Sequence, residues 1–448
     1  MPKSWKILCD APELAAEIRS DADSLGIKVE VELTSDPLKQ AIDLLANNRP
    51  VSVATHSLPS LEALLSLAKQ SHDKQSFSAF ALLVQGSSSK AIRELALDLA
   101  LVAVPTTRAL LCAIQLFRTE DPAPWRADIR HLNILDAEHL KPIMHSPKRG
   151  GPQLHSEQDF LVEWQNASKT NKVILGRRHE CAVAMDAFKQ ADPFEKDIFA
   201  ASYQATDIDK QAIRDVLFGP PRALSDPASK AALRPYGLPY GDEEMYTSAS
   251  RVASEATRIG FPVRIALASP DLRAWDHPDL VANAVDNASR AKEMYQQILA
   301  QAQDRAPEAR LLGVTVSASH HERALLRVRM SPLADKFVFV QISFADPHGM
   351  ASEDLTVTFL PAKKDRALKA LQRLRGRSLL SDPADPSDPG LQNILNLLEQ
   401  SACFVNDWRE HLQSVEINPV ALLLDASIEA RELCITVNDS FIKAMDDI

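Results

Sequence analysis

Apolar and polar positions follow different periods along the chain, and the changes of period divide it. From residue 1 to 125, apolar runs at 5–9, 29–33, 51–55, 77–84 and 99–104 have the length of strands. The stretches between them, such as 60–70 and 89–99, repeat apolar residues at helical spacing. Strand-length runs alternating with amphipathic helices predict a parallel sheet covered on both faces, here a small flavodoxin-like layer domain. From 126 to 215 the signal weakens. Proline-bearing text at 122–125, 142–153 and 192–194 reads as loop, while 156–169 and 206–219 read as helices opened by capping residues. This stretch is expected to be a mostly helical connector.

Beyond 216 the order changes. Helices are predicted at 228–237, 247–260 and 283–303, then alternating runs at 312–317, 324–330, 337–344 and 355–360. The links between those runs are too short for parallel crossovers, so the strands should be antiparallel. Helices at 365–375 and 391–404 and strands at 420–424 and 432–437 complete a C-terminal α+β domain over 216–448. The fold class expected is therefore α/β in three parts: 1–125, 126–215 and 216–448.

Composition narrows the function. A chain of 448 residues with 45% apolar and 25% charged side chains can bury sizeable cores. A formal net charge of −10 argues against a general nucleic-acid surface. The basic run Lys363–Arg377 reads as a solvated helix face, because Ala367, Leu368, Leu371 and Leu374 recur at helical spacing. Five scattered cysteines with no CxxC pair argue against a metal ribbon and suit a reducing cytosol. Cys112 and Cys181 lie in apolar helical text and read as buried. The N-terminus lacks an apolar leader and no run of eighteen apolar residues exists, so no membrane partner is expected and the cytoplasm is the expected location.

The clearest chemistry is at Glu416 and Asn418. Two residues apart on an extended segment, their oxygens point to one face, where they could serve a Mg²⁺ on nucleotide phosphates. Asn418-Pro419 also reads simply as a turn opening a strand. Four blocks (Ala223–Pro239, Ala253–Leu272, Leu312–Val316 and Val415–Leu422) resemble, in order and spacing, the ATP-grasp portion of NDP-forming acyl-CoA synthetases. These are relatives of succinyl-CoA synthetase and ADP-forming acetyl-CoA synthetase. The resemblance covers roughly residues 222–437. It implies Mg-ATP or Mg-ADP and CoA as cofactors, with Asn418 and Glu432 as metal ligands and Glu416 and Glu353 near the nucleotide.

Several positions depart from that pattern. Ala266 stands where the resemblance implies a phosphate-binding lysine, and a methyl group cannot neutralise phosphate. Ala274 and Trp275 stand at a histidine-lysine pair. The stretch Pro332–Gly349 holds one glycine where a glycine-rich phosphate cradle is implied. Arg264, two residues before Ala266 and on the same strand face, is the nearest substitute cation, with Lys230, Lys292 and Lys336 as others. The catalytic candidates are His277, three residues beyond Ala274, and His56, which follows a predicted strand; both also read as ordinary loop histidines. His320-His321-Glu322 reads as a polar hairpin tip, since adjacent strand residues point apart.

The leading expectation is a degenerate acyl-CoA synthetase-like protein that binds nucleotide or acyl-CoA weakly. It would form a homo-oligomer or stand beside a partner subunit carrying the CoA-binding domain. The alternatives are an active acid–CoA ligase with a rebuilt site, and a purely structural interaction protein.

Overall fold

The computed structural model describes residues 5–47, 49–72, 80–85, 89–118, 133–135, 173–175, 178–191, 208–241, 243–333, 336–346, 351–361, 364–382 and 388–440. The chain forms two compact units, Met1–Ile198 and Phe199–Ile448.

The first unit opens with β1 (Trp5–Cys9), α1 (Pro12–Ser24), β2 (Val29–Leu33), α2 (Pro37–Ala46), β3 (Val51–Thr55), α3 (Leu61–His72), β4 (Phe80–Val84), α4 (Ser89–Asp98), β5 (Val102–Val104) and α5 (Thr107–Arg118). Its strands lie parallel in the order β2-β1-β3-β4-β5. This is the doubly wound arrangement that the alternating pattern predicts, and its strand order reverses between β1 and β3. Every residue of β3 is buried, as a strand covered on both faces requires. Trp5 Nε1 donates to Ser52 Oγ on the neighbouring strand at 3.0 Å. Further on, β6 (Asn133–Leu135) and β7 (Val173–Leu175) pair in parallel, followed by α6 (Arg178–Ala191). Three-residue strands are too short for the sequence to display a period. The helix expected over 156–169 and the side chain of Cys181 lie outside the described residues.

The second unit runs through α7 (Lys210–Leu217), β8 (Arg222–Ala223), α8 (Asp226–Leu233), β9 (Glu243–Tyr246), α9 (Ala249–Ile259), β10 (Val263–Ala268), β11 (Val281–Val285), α10 (Ala288–Arg305) and β12 (Gly313–Ala318). It continues with β13 (Glu322–Pro332), β14 (Val338–Ala345), β15 (Ala351–Leu360), α11 (Lys364–Gln372), α12 (Gly390–Asp407), β16 (Leu412–Leu423), β17 (Ile428–Ala430) and β18 (Leu433–Val437). The helix expected from residue 283 begins five residues later. Val281–Val285 pairs with β10 as a strand, and the Asn287 side chain caps the helix by accepting from Arg290 N at 2.8 Å.

Two antiparallel sheets result, ordered β11-β10-β12-β9 and β15-β14-β13-β16-β18-β8, with β17 paired to β16. The smaller packs Val263, Ile265, Val314 and Val316 with Ala291 and Ile298 of α10. The larger packs against α8, α11 and α12 through Val328, Met330, Ile417, Leu433, Leu371, Leu398 and Phe404.

An irregularity in the larger sheet decides which way Glu416 and Asn418 point. Strand β13 sends Leu326, Val328 and Met330 into the helix-side core, whereas β16 sends Val415 and Ile417, then Val420 and Leu422. The register against β13 shifts between these pairs, so β16 carries one extra residue at Asn418-Pro419. Proline has no N–H to lose from the ladder there. Glu416 and Asn418 thereby face away from the helices.

Phe404 is fully buried in the helix-side core and meets Tyr236 edge-on at 5.3 Å. Phe404→Ala is expected to cost about 3–5 kcal/mol in urea unfolding, from lost burial plus a cavity. Leu424→Ala, at a position 68% exposed, should stay within about 0.5 kcal/mol.

Candidate functional site

The backbone of Asn418 donates to Glu432 O at 2.9 Å, which sets Glu432 opposite Asn418 on the face turned from the helices. In the smaller sheet, cross-strand pairing aligns Glu243, Ser317 and Arg264 in one row and Met245, Thr315 and Ala266 in the next. Residues two apart share a face, so Arg264 and Ala266 point the same way. That face meets the larger sheet, because the Arg264 guanidinium donates to the Glu432 carboxylate. Both side chains are buried.

Three more charges join this seam. Lys230 of α8 donates to Asp226 Oδ2 at 2.9 Å, to the Glu243 carboxylate and to Arg431 O at 2.6 Å. Asp226 Oδ1 accepts from Leu433 N at 2.7 Å and Ser229 Oγ from Ile435 N at 3.1 Å, so α8 satisfies donors of β18. Across the sheet, Arg327 donates to Glu416 Oε1 through Nε at 2.6 Å and Nη2 at 2.5 Å.

The electrostatics follow from three carboxylates (Asp226, Glu243, Glu432) meeting two cations (Lys230, Arg264) away from water. Burial works against the Lys230 ammonium, but Asp226 and Glu243 outweigh it and hold its pKa above the usual lysine value. Burial pushes the Glu243 carboxyl up to about 7, against the pull of Lys230 and with the help of Asp226. Burial raises Glu432 as well, although Arg264 opposes it. With one more negative group than positive, the cluster favours retaining a proton on a carboxyl.

Mg²⁺ does not fit this donor set. It requires near-octahedral oxygen ligands, whereas Glu432 is bound to Arg264 and Glu416 to Arg327. Among the described residues no group of three or more His, Cys, Asp and Glu side chains could hold a metal ion. Ala266 is 1% exposed within the smaller sheet's core. Trp275 is 3% exposed, and its Nε1 has no hydrogen-bond partner among the described residues.

Two facing antiparallel sheets with this order of blocks agree with the sequence comparison, in which the model of the ATP-grasp domain matches residues 216–430. Residues 216–430 are an ATP-grasp domain. The chain is similar to the beta subunit of acetate–CoA ligase [ADP-forming] II of Pyrococcus furiosus, with 21% identity over 232 residues, 48% of this chain and 95% of the relative. The beta subunit of ligase I from the same organism is 20% identical over 220 residues, 46% of this chain and 89% of the relative. Among solved structures, dinucleotide-forming acetyl-coenzyme A synthetase 1 of Ca. Korarchaeum cryptofilum, in complex with coenzyme A and Ca-AMPCP, matches with a TM-score of 0.43 and 17% identity. That match covers 48% of this chain and 94% of the other. By its sequence matches alone, the ATP-grasp domain has homology to beta subunits of ADP-forming acetyl-CoA synthetases.

Of the residues singled out in the sequence, Arg264, Asn418 and Glu432 lie on the seam of this domain, and Glu416 shares their sheet face. Glu353 does not join them: it is exposed on β15, with β14 and β13 between it and β16. His277 lies in the loop from β10 to β11, where its backbone serves two short helical turns. His56 belongs to the first unit. Its N–H donates to Asp10 Oδ1 at 3.1 Å and its Nε2 meets Gln85 Oε1 at 3.0 Å. Asp10 also accepts from Thr55 Oγ1 at 2.5 Å and Ser57 N at 3.3 Å. Burial alone would raise the Asp10 pKa, but these donors hold it below the usual carboxylate range. Sequence reasoning missed Glu243 and Arg327. Their only signal is alternation, Arg327 with Arg329 on one face of β13. No helix among the described residues is long and apolar enough to cross a membrane.

Glu243 makes the cluster pH-sensitive. Its pKa stands near 7 when folded against 4.5 ordinarily, so between these values the folded chain holds a proton the unfolded chain has lost. Its contribution is complete below 4.5 and disappears as pH rises through 7. In urea unfolding at pH 5 and pH 8, wild type should lose more stability across this interval than Glu243→Gln.

Proposed function

We propose that this protein is a non-catalytic relative of the acyl-CoA synthetase beta subunits, acting as a subunit beside a partner that carries the chemistry. The observation that carries this reading is the Arg264–Glu432 ion pair. It joins the strand expected to bind phosphate to the residue expected to bind metal, so each consumes the other's charge. Ala266 provides no cation, and Trp275 fills a buried position where a histidine-lysine pair is implied. Restoring a metal at Glu432 would leave Arg264 buried and uncompensated, a cost of several kcal/mol.

The sign of charge supports the same reading. A nucleotide triphosphate needs cations with free donors facing it. On the seam, Lys230 already serves two carboxylates and a carbonyl, and Arg264 serves Glu432. In the first unit, the crevice where the strand order reverses is the usual ligand position of an open α/β sheet. There the Asp10 carboxylate takes up three donors, one from the last residue of β3 and two from the loop after it.

Calorimetry with Mg·ATP, Mg·ADP and CoA, together with an acyl-CoA formation assay on acetate, tests this. We expect no turnover, no tight Mg·nucleotide binding, and no gain from Ala266→Lys alone. Tight Mg·ATP binding abolished by Asn418→Ala, accompanied by acyl-CoA formation, would overturn the reading in favour of an active ligase.

A further inference from the structure

A second candidate site lies on the same domain, beside the seam. Two clefts, of about 630 and 290 Å³, share the lining residues Arg234, Tyr240, Gly241, Glu243 and Glu244. The size of the larger is that of small-molecule sites. How the chain builds the mouth is clear from the local sequence. Helix α8 ends in a short helical turn, Arg234–Tyr236, closed by Gly237 at φ +81°, a left-handed conformation that favours glycine. The chain then returns through Leu238-Pro239 to Tyr240, whose hydroxyl donates to Lys230 O at 3.0 Å. This bond fixes the ring, and the Arg234 guanidinium lies over it, 6.0 Å from the centroid.

Arg234 is one of the two guanidiniums that line the larger cleft, and Arg258 is the other. Arg264, Arg323 and Arg327 each pair with a carboxylate. Arg234 is exposed and makes no ion pair among the described residues, although three glutamates line the larger cleft with it. Two of these are taken: Glu255 by Arg258 and Glu243 by Lys230. Glu244 accepts from the Tyr246 hydroxyl at 2.8 Å through Oε2 and makes no ion pair among the described residues, although its charge also acts on Arg258. Beside the Arg258–Glu255 pair, the larger cleft therefore holds a guanidinium, Arg234, and a carboxylate, Glu244, that form no ion pair with each other among the described residues.

We propose that this cleft binds a small zwitterion of amino-acid type, its carboxylate on Arg234 and its ammonium on Glu244, with the Tyr240 ring as the apolar wall. A simple carboxylate would meet Arg234 but also the acidic wall. A simple amine would lack the arginine contact. Only a molecule with both charges satisfies both groups, and bidentate carboxylate recognition is what a planar guanidinium does best. This site needs neither nucleotide nor metal, so it stands or falls independently of the non-catalytic reading.

The test is thermal unfolding of the full chain with each of the twenty protein amino acids at about 10 mM, beside their decarboxylated amines and acetate and propionate. At least one amino acid should raise the midpoint by roughly 2 °C or more, while the matching amine and the simple acids do not. Arg234→Gln should weaken that ligand at least tenfold in a titration, and Glu244→Gln should weaken it while narrowing the preference over a simple acid. Both positions are exposed, and circular dichroism of the ligand-free variants verifies the fold. The idea is overturned by no shift with any amino acid, by unchanged binding to Arg234→Gln, or by equal shifts from simple carboxylates.

Discussion

The C-terminal unit depends on charges that cannot be left alone. Taking an ion out of water costs several kcal/mol, and the cost is offset only where a partner of opposite sign and further hydrogen bonds are in place. Lys230, Asp226, Glu243, Arg264 and Glu432 meet this condition collectively. They come from separate parts of the unit: α8, the edge of the smaller sheet, its second strand, and the residue before β18. The seam between the sheets is therefore held by polar contacts whose geometry must be right, in contrast with the tolerant apolar cores on either side.

What places those charges is ordinary strand geometry with one exception. Alternation puts Arg264 and Ala266 on one face, and Glu416 and Asn418 on another. The extra residue at Asn418-Pro419 then lets β16 return Val420 and Leu422 to the core that Val415 and Ile417 already entered. Without it, either the polar pair or the apolar pair would face the wrong way. The bulge lets one twelve-residue strand serve both a polar seam and an apolar core.

Much of this was legible in the sequence. The alternating strands and helices of the first unit, and the antiparallel run after residue 312, follow from period alone. Asn418 and Glu432 could be singled out through the resemblance, and Arg264 by counting two residues back from Ala266. The partners were not legible. Nothing in the spacing of Arg264 and Glu432, 168 residues apart, says that they touch, and Glu243 is one acidic residue among several in its stretch. The strand Val281–Val285 was hidden because Val285 suits a helical stripe as well as a strand. Glu353 shows the converse limit: a position matched by distance along the chain came to rest on the far edge of the sheet.

Asp226 has a bearing on how this chain can change. Its two carboxylate oxygens serve different masters, one the Lys230 ammonium and the other the backbone of Leu433. Glu432 is the neighbour of Leu433 and the partner of Arg264, so the helix, the strand and both cations share one set of bonds. A single substitution at any of these positions strands a buried charge elsewhere, and only coordinated replacements keep the fold sound. Such an arrangement behaves as an evolutionary ratchet: once the charges have closed on each other, the route back passes through unstable intermediates.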